Sequence, residues 1–378
     1  MIALEHPIAP TRTDSLDELM AGQLAVSAAN ADRHGHPDAD GLALLRRAGL
    51  MGLAVPAEFG GDGADAVELN RCIEQVATAN GSAAIMLFQH FAVSARIVGH
   101  GSSQQRATVL PLLASGEWLA ASAWSEPGAA ANKRNISSTA VAVGESGWLL
   151  NGTKSFTTSA GLADIYLVLA QTGEPSTNDA TGYGAPGQTF FLVRGDASGI
   201  ACDTSLDLVG MRGSATGFVH LRECLVDDQD RLGPLGDATT IIAGVRESGV
   251  SLGAVAVGLA QAAFDLALAH ACRRDLLGHS NVRFQLADLS AELEAARAVV
   301  ERAGRRQTGA PGLTTLSSKL FATAAARRVV EGAERILGSA GFLVAHPINR
   351  TVRDLAAVSL MGPTNELCRE LVSDSWNK

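Results

Sequence analysis

Trp124-Ser125-Glu126-Pro127-Gly128 is the stretch around which the chain is organised, and Gly152-Thr153-Lys154-Ser155-Phe156-Thr157-Thr158-Ser159 follows it by some twenty-five residues. Both stretches fall in the one β-rich part of an otherwise helical sequence, where short runs of β-favouring residues alternate with Gly and Asn turns. On either side, apolar residues recur with helical spacing. The pattern predicts that the two stretches form one wall of a site, held between helical domains.

The predicted fold class is α+β, mainly α, in three domains. Residues 1–116 form an N-terminal domain of four or five helices, 117–234 a small antiparallel β-barrel or sandwich, and 235–378 a four-helix bundle. The predicted bundle helices span about 237–274, 283–306, 312–338 and 348–376. The predicted strands lie near 118–124, 137–143, 148–151, 155–159, 165–170, 188–193 and 217–226, with an exposed loop over 174–187.

Composition excludes several classes of partner. The 378 residues are 47 % hydrophobic with a formal net charge of -9, which predicts a soluble chain with a large core and no nucleic-acid partner. The longest apolar runs contain polar residues such as Gln261 and Asp265, so we expect buried helices and no membrane span. The five cysteines show no CxxC or Cys/His spacing, which predicts reduced thiols, no metal site and a cytoplasmic location.

Six short motifs carry a family resemblance that covers nearly the whole chain. In chain order they are Ser125-Glu126-Pro127-Gly128, Leu150-Asn151-Gly152-x-Lys154, Gly210-Met211-Arg212-Gly213-Ser214, Arg274-x-x-Leu277-Gly278, Ile336-Leu337-Gly338-Ser339-Ala340-Gly341-Phe342 and Arg353-Asp354. Each is weak alone, but their order and separation resemble the acyl-CoA dehydrogenase flavoprotein family. The resemblance implies FAD as cofactor and α,β-desaturation of an acyl thioester, on coenzyme A or an acyl carrier protein, with hydride transfer to flavin N5.

The same resemblance implies a flavin-binding role for four residues of the β-rich region. Trp124 and Ser125 lie in the loop that forms the flavin wall, and Ser125 contacts the polar centre of the ring. Phe156 stands where related proteins have a Trp that covers the ring, and Thr158 hydrogen-bonds near N5. A flavin needs this combination of an apolar platform and polar donors.

Four further residues correspond to the part of the family's site that holds the phosphates and adenosine. Arg274, Leu277 and Gly338 match motifs that bind this half of FAD across a subunit interface, and Thr364 matches a Thr that supports the phosphates. Arginine suits such a site because its forked, permanently charged guanidinium binds phosphate. The resemblance therefore implies a homodimer or a homotetramer.

The sequence departs from the family at the catalytic base. The glutamate that removes the substrate's α-proton would fall on Gly362, which offers only its backbone. Some relatives carry the base near the start of the first bundle helix, a position that falls on Ser248 here. Glu247 misses it by one residue and is the candidate base, although a carboxylate in a helix's first turns also suits the helix dipole.

A second departure lies in the loop after Gly128, where Ala129, Ala130 and Ala131 replace the usual Ala-Gly-Ser. The Ser hydroxyl is lost. The following Asn132, Lys133 and Arg134 offer donors to a phosphate of flavin, coenzyme A or a carrier protein's phosphopantetheine, or form a solvated charge cluster.

Three hypotheses about function remain open from the sequence. The first is a dehydrogenase of acyl thioesters that passes electrons to an electron-accepting flavoprotein. The second is a flavin-dependent monooxygenase on the same fold, which uses O2 and needs no α-proton base. The third is a flavin-binding partner subunit without chemistry of its own.

Overall fold

A computed structural model of the chain describes residues 18–129, 131–173 and 183–377. Its N-terminal part holds five helices, which agrees with the predicted four or five. They are α1 (Glu18–His34), α2 (Ala39–Arg47), α3 (Ala66–Ala79), α4 (Gly81–His100) and α5 (Ser103–Ser115). Asp65 and Ser102 begin α3 and α5 with capping boxes, and the Asn80 side chain caps α4.

The middle of the chain forms one eight-stranded sheet. Its strands are β1 (Ala120–Ala123), β2 (Thr139–Val143), β3 (Gly147–Thr157), β4 (Ile165–Gln171), β5 (Gln188–Arg194), β6 (Ile200–Asp203), β7 (Gly217–Asp227) and β8 (Arg231–Leu232). The order is β6-β7-β3-β2-β4-β5-β8, and β1 pairs with β4. Strands β4 and β5 are almost wholly buried, which explains their continuous apolar runs.

Three features of this sheet differ from the prediction. The two runs 148–151 and 155–159 belong to one long strand, β3, because the Gly152 turn signal is absorbed as a bulge opposite β7. Strand β1 runs parallel to β4, whereas an all-antiparallel sheet was expected. The short strands β6 and β8 were not predicted, because neither contains an apolar run long enough to indicate a strand.

The C-terminal part contains six helices where four were predicted. They are α6 (Ala238–Glu247), α7 (Gly253–Arg273), α8 (Ser280–Arg305), α9 (Pro311–Leu337), α10 (Pro347–Leu360) and α11 (Asn365–Asp374). The first and last predicted helices are each broken in two, and both breaks have a local cause.

Between α6 and α7 the chain turns at Gly249, whose φ of +80° favours glycine. The side chain of Asn70 bridges the break, since its Nδ2 donates to the Gly249 carbonyl at 3.0 Å and its Oδ1 accepts from the Ser251 N–H at 2.9 Å. Between α10 and α11 the break follows from Pro363, which lacks an N–H and disfavours helical backbone in the residue before it. This second break leaves Gly362 in a loop.

The largest apolar cluster joins the N-terminal helices to α7, α8, α9 and α10. Helices α4 and α7 are long and apolar enough to cross a membrane by composition alone, but 72 % and 50 % of their most apolar windows are buried within the fold. Small residues such as Ala256, Ala325 and Ala326, all fully buried, let the helices of this cluster approach closely.

Candidate active site

A cavity of about 790 Å³ opens where the three parts of the chain meet. Helix α4 contributes Phe88 and Arg96 to its wall, the sheet contributes the loop 124–129, and the C-terminal helices contribute the segment 360–364. Most of the surrounding side chains are apolar, with a few polar groups among them, as in sites that bind a cofactor or a small molecule.

The sequence stretches 124–128 and 152–159 lie side by side along this cavity. The Ser155 N–H donates to the Ser125 carbonyl at 2.8 Å, which ties the end of β3 to the loop after β1. Phe156 has a φ of +50° and leaves 68 % of its surface exposed beside the cavity, whereas Thr158 is 8 % exposed. An exposed aromatic ring in left-handed backbone is an unfavourable arrangement for a side chain without a binding role.

Trp124 presents both an apolar face and an unused donor. Its ring packs on Phe190 with a centroid distance of 4.8 Å, and its buried indole N–H has no hydrogen-bond partner in the described part of the chain. Buried donors are normally paired, so an orphan N–H beside a cavity indicates that a ligand accepts the hydrogen bond.

Glu126 anchors the loop. Its carboxylate lies 2.6 Å from Lys154 Nζ and accepts from the backbone N–H groups of Ser137 and Ser138 and from the Ser137 hydroxyl. Burial opposes ionisation, but the Lys154 charge and these hydrogen bonds outweigh it and lower the pKa of Glu126 to about 2. The pair gives Glu126 of the first motif and Lys154 of the second a common role: together they fix the loop to β3.

Two other motifs meet beneath the cavity. The Met211 N–H donates to the buried carboxylate of Asp354 at 2.5 Å. Arg353 forms a bidentate ion pair with Asp32 on α1, with both N–O distances 2.7 Å. A side chain at Gly210 would lie 2.3 Å from the Arg353 carbonyl, so glycine alone fits there. These motifs are therefore structural: they join α1, the sheet and α10 around the cavity.

Gly362 lies on the cavity wall, as the family position of the base requires. Its loop is held by Lys319 of α9, whose Nζ donates to the Met361 carbonyl at 2.6 Å and to the Pro363 carbonyl. A Cβ added at Gly362 would lie 3.6 Å from the Tyr183 hydroxyl, an ordinary van der Waals contact. Thr364 also lines the cavity and caps α11, because its hydroxyl accepts from the Leu367 N–H at 3.2 Å.

The structure does not bring Glu247 into the cavity, and the proposal that it is the base is corrected here. It is the last residue of α6, its side chain is exposed, and its Cγ lies 3.6 Å from a Cβ added at Gly312 of α9. Val245 and not Glu247 faces the cavity, since residues two apart point to different sides of a helix. Glu126 is the single Asp or Glu among the described residues of the wall, and its carboxylate is fully engaged.

Three predicted cofactor residues lie away from the cavity. Arg274 is exposed at the end of α7, Leu277 is half-buried in the following turn, and Gly338 is exposed after α9 with open space around its α-carbon. One chain thus brings together Trp124, Ser125, Phe156, Thr158, Gly362 and Thr364 around the cavity, but not the other three.

Sequence reasoning missed three functional candidates near Gly362: Arg96, Tyr183 and Lys319. The predicted exposed loop 174–187 lies partly outside the described residues, but Tyr183, Gly184 and Ala185 are buried, which corrects the prediction for its last part. Arg96 interrupts an apolar helix, and Tyr183 is one of two tyrosines in the chain, so the sequence held a faint signal for both. Lys133 is buried on the cavity wall, so it does not belong to a solvated charge cluster. Burial lowers the pKa of Lys133, and the charge of Glu126 opposes that change.

Comparisons with known proteins agree with this architecture. The models of the acyl-CoA dehydrogenase N-terminal, middle and C-terminal domains match residues 12–117, 121–224 and 239–376. The chain is 31 % identical over 372 residues to a cyclohexane-1-carbonyl-CoA dehydrogenase of Geobacter metallireducens, covering 96 % of this chain and 95 % of that protein.

Solved structures show the same fold. Butyryl-CoA dehydrogenase from Megasphaera elsdenii superposes with a TM-score of 0.89 at 24 % identity, over 99 % of this chain and 100 % of that one. An acyl-CoA dehydrogenase from Bacillus anthracis, complexed with FAD, superposes with a TM-score of 0.85 at 25 % identity, over 97 % of this chain and 66 % of that one.

Proposed function

The chain belongs to the acyl-CoA dehydrogenase family, and from this premise we propose that it oxidises the acyl group of a thioester, carried on coenzyme A or on an acyl carrier protein. It is an FAD-dependent oxidoreductase with the mainly helical, three-part fold of that family. The finer proposal is α,β-desaturation, in which the β-hydride goes to N5 of the flavin.

The residues around the cavity fit a flavin. Phe156 supplies an exposed ring, Thr158 and Ser125 supply hydroxyls, and the orphan indole N–H of Trp124 supplies a donor without a protein acceptor. When bound, FAD supplies the two-electron acceptor for the oxidation. Phe156 would then cover the ring, and Thr158 would hold its polar edge by a hydrogen bond.

The second half of the cofactor supports a proposed homodimer or homotetramer. Arg274 and Gly338 are exposed and distant from the cavity, so a partner subunit is needed for them to reach a cofactor held there. Beside Gly338, Phe342 and Val344 leave 92 % and 95 % of their surfaces exposed. Apolar side chains this exposed favour burial in a subunit contact.

One observation carries the proposal: Trp124, Ser125, Phe156 and Thr158 line one cavity, and no free carboxylate faces it from the described residues. Since a positioned base typically accelerates proton transfer by about 10²- to 10⁴-fold, we expect a slow enzyme in which α-proton removal limits the rate. The electrons then pass to an electron-accepting flavoprotein, and we expect this chemistry in the cytoplasm.

Anaerobic mixing of the oxidised holoprotein with a panel of acyl-CoA and acyl-carrier-protein thioesters tests the proposal. At least one thioester should bleach the flavin, and deuterium at the α-carbon should slow bleaching because proton removal is limiting. If no thioester of the panel reduces the flavin while FAD stays bound, the dehydrogenase proposal fails.

The missing carboxylate also favours a second candidate, a flavin-dependent monooxygenase, because O2 activation on reduced flavin needs no α-proton base. An external flavin reductase should then drive oxygen consumption coupled to a hydroxylated product, in the absence of bleaching by thioesters. A holoprotein that fails both assays leaves a flavin-binding partner subunit, and adding the paralogous subunit should then restore activity.

A further inference from the structure

Two buried cations and one half-buried cation lie near Gly362, the position at which the resemblance places the family's catalytic carboxylate. Arg96 is 6 % exposed on the cavity wall, and Lys319 is 3 % exposed behind the Gly362 loop. Arg246 is half-buried at the end of α6, next to Val245 of the wall, and its Nε is buried without a hydrogen-bond partner. Within residues 18–129, 131–173 and 183–377, no carboxylate lies within 4 Å of any of the three.

Arg96 has donors to spare. Its Nη1 donates to the Ala92 carbonyl of the preceding helical turn, which is its one hydrogen bond to the described part of the chain. A guanidinium carries five N–H donors, so the remaining donors face the cavity. Burial lowers the pKa of Arg96 to about 10, which leaves it charged at neutral pH. A buried charge without a partner is costly unless a ligand completes it.

Tyr183 connects this cation to Gly362. Its side chain is 7 % exposed, lines the cavity, and places its hydroxyl 3.6 Å from a Cβ added at Gly362. Burial raises the pKa of Tyr183, and the charges of Arg246 and Arg96 oppose that rise, so both guanidinium groups act on the same hydroxyl. The phenol stays protonated at neutral pH and is a donor toward the space above Gly362.

A glutamate at position 362 would begin beside the Tyr183 hydroxyl, since a Cβ added there lies 3.6 Å from it. Glycine leaves that volume open, and among the described residues the Arg96 guanidinium on the same cavity wall has no carboxylate partner.

We propose that the acyl group itself supplies the carboxylate, which lies above Gly362 against the Arg96 guanidinium and accepts a hydrogen bond from Tyr183. The substrate class is therefore a monothioester of a dicarboxylic acid. This inference rests on the proposed function, because it assigns the substrate of the same cavity. Aminoacyl groups, which carry a cation, are disfavoured by the same charges.

Paired ligands that differ only in the terminal group give a direct test. Oxidised holoprotein is titrated with succinyl-CoA and butyryl-CoA, and separately with glutaryl-CoA and pentanoyl-CoA, under anaerobic conditions with calorimetric and flavin-absorbance readouts. Charge-assisted hydrogen bonds predict that the carboxylated member of at least one pair binds about 10- to 100-fold more tightly. Equal or weaker binding of the carboxylated member in both pairs overturns the inference.

Variants assign the effect to the cluster. Arg96→Gln should abolish the preference, Arg96→Lys should retain part of it, and Arg302→Gln, an exposed arginine on α8, should leave it unchanged. Gly362→Glu places a competing carboxylate beside these cations and should abolish the preference while Arg96 stays unchanged. This variant tests the assignment even if Arg96→Gln fails to fold. A preference that survives in both folded Arg96→Gln and Gly362→Glu overturns the assignment.

The two proposals fail separately. If butyryl-CoA bleaches the flavin but succinyl-CoA and glutaryl-CoA bind no better than their partners, the dehydrogenase stands and this inference falls. If the carboxylated thioesters bind more tightly through Arg96 but no thioester bleaches the flavin, this inference stands and the dehydrogenase falls.

Discussion

Restoring a carboxylate at position 362 should turn a slow enzyme into a faster one for unsubstituted acyl thioesters. The structure has room for the change, because a Cβ at Gly362 meets the Tyr183 hydroxyl at 3.6 Å and no closer atom. The loop stays in place, since Lys319 holds the carbonyls of Met361 and Pro363 on either side. Gly362→Glu is therefore expected to fold and to retain FAD.

The size of the gain follows from the charges around that position. An opposite charge close to a carboxyl lowers its pKa by about 1 to 3 units, whereas burial raises it. Arg96, Arg246 and Lys319 lie near the loop, and none of them forms an ion pair with a carboxylate of the described residues, so we expect the new glutamate to be ionised at pH 7. An ionised, positioned base should then raise the rate of flavin bleaching by butyryl-CoA by about 10²- to 10⁴-fold.

Anaerobic stopped-flow bleaching of the flavin measures this rate at saturating butyryl-CoA. Gly362→Gln adds the same volume without a base, and Gly362→Ala adds the Cβ alone, so neither should accelerate bleaching. The primary isotope effect of α-deuterated substrate should shrink in Gly362→Glu as proton removal ceases to be limiting. A Gly362→Glu protein that binds FAD and butyryl-CoA normally but bleaches no faster than Gly362→Gln would refute the reasoning.

Three further predictions address the scaffold. Glu126→Gln breaks the buried ion pair with Lys154, in which both side chains are at most 1 % exposed. The variant should lower the free energy of unfolding by about 3 to 5 kcal/mol, measured by chemical denaturation. It should also weaken FAD retention, measured as flavin content. His90 is fully buried and neutral, and burial lowers its pKa to about 4, so its contribution to stability is present above pH 6.5 and is lost as the pH falls toward 4. That contribution is about 3 kcal/mol, and urea denaturation should show its acid slope in the native protein but not in His90→Gln. Phe342→Asp adds charge to a ring that is 92 % exposed and should shift the mass by light scattering from oligomer to monomer.

Matched controls come from exposed positions of the same residue type for Glu126 and His90, and from an exposed apolar residue for Phe342. Glu117→Gln, His36→Gln and Val26→Asp change comparable groups on the N-terminal domain and its boundary, where each is exposed. They should leave stability, acid slope and mass unchanged. A control that behaves like its partner variant would show that the effect is not specific to the site.

His90 also shows why parts of the fold were beyond sequence reasoning. Its Nδ1 accepts from the Ala120 N–H at 3.2 Å, and its Nε2 donates to the Met51 and Leu113 carbonyls. One side chain thus joins α4 to β1, where the sheet begins. Periodicity predicts α4 well, because it depends on neighbours three and four residues away, but it carries no information on partners twenty or more residues away.

The two broken helices also show that residues outside a local pattern can decide the structure. The segment 237–274 has apolar residues at helical spacing throughout, and the turn at Gly249 is stabilised by Asn70, which is 179 residues away. At the other break, Pro363 was visible in the sequence, but helical periodicity on both sides obscured it. In both places the local pattern was correct and a single residue overrode it.

The sequence predicted those residues of the candidate site that belong to motifs. Trp124, Ser125, Phe156 and Thr158 come from two motifs and meet at the cavity, as the resemblance requires. The cations near Gly362 belong to no motif, and they come from α4, α6 and α9. Only the packing of these helices shows that their charges converge on one loop.

The position of these three cations suggests a reason for the missing glutamate that the sequence alone could not provide. A chain that had only lost a catalytic carboxylate would leave the buried charge of Arg96 without a carboxylate partner, at a cost in stability. A substrate that brings the carboxylate removes that cost on binding, and it converts the same charges from support for a base into recognition of a substrate. Under the two proposals, the space left by Gly362 would account both for recognition of a carboxylated substrate and for slow proton removal.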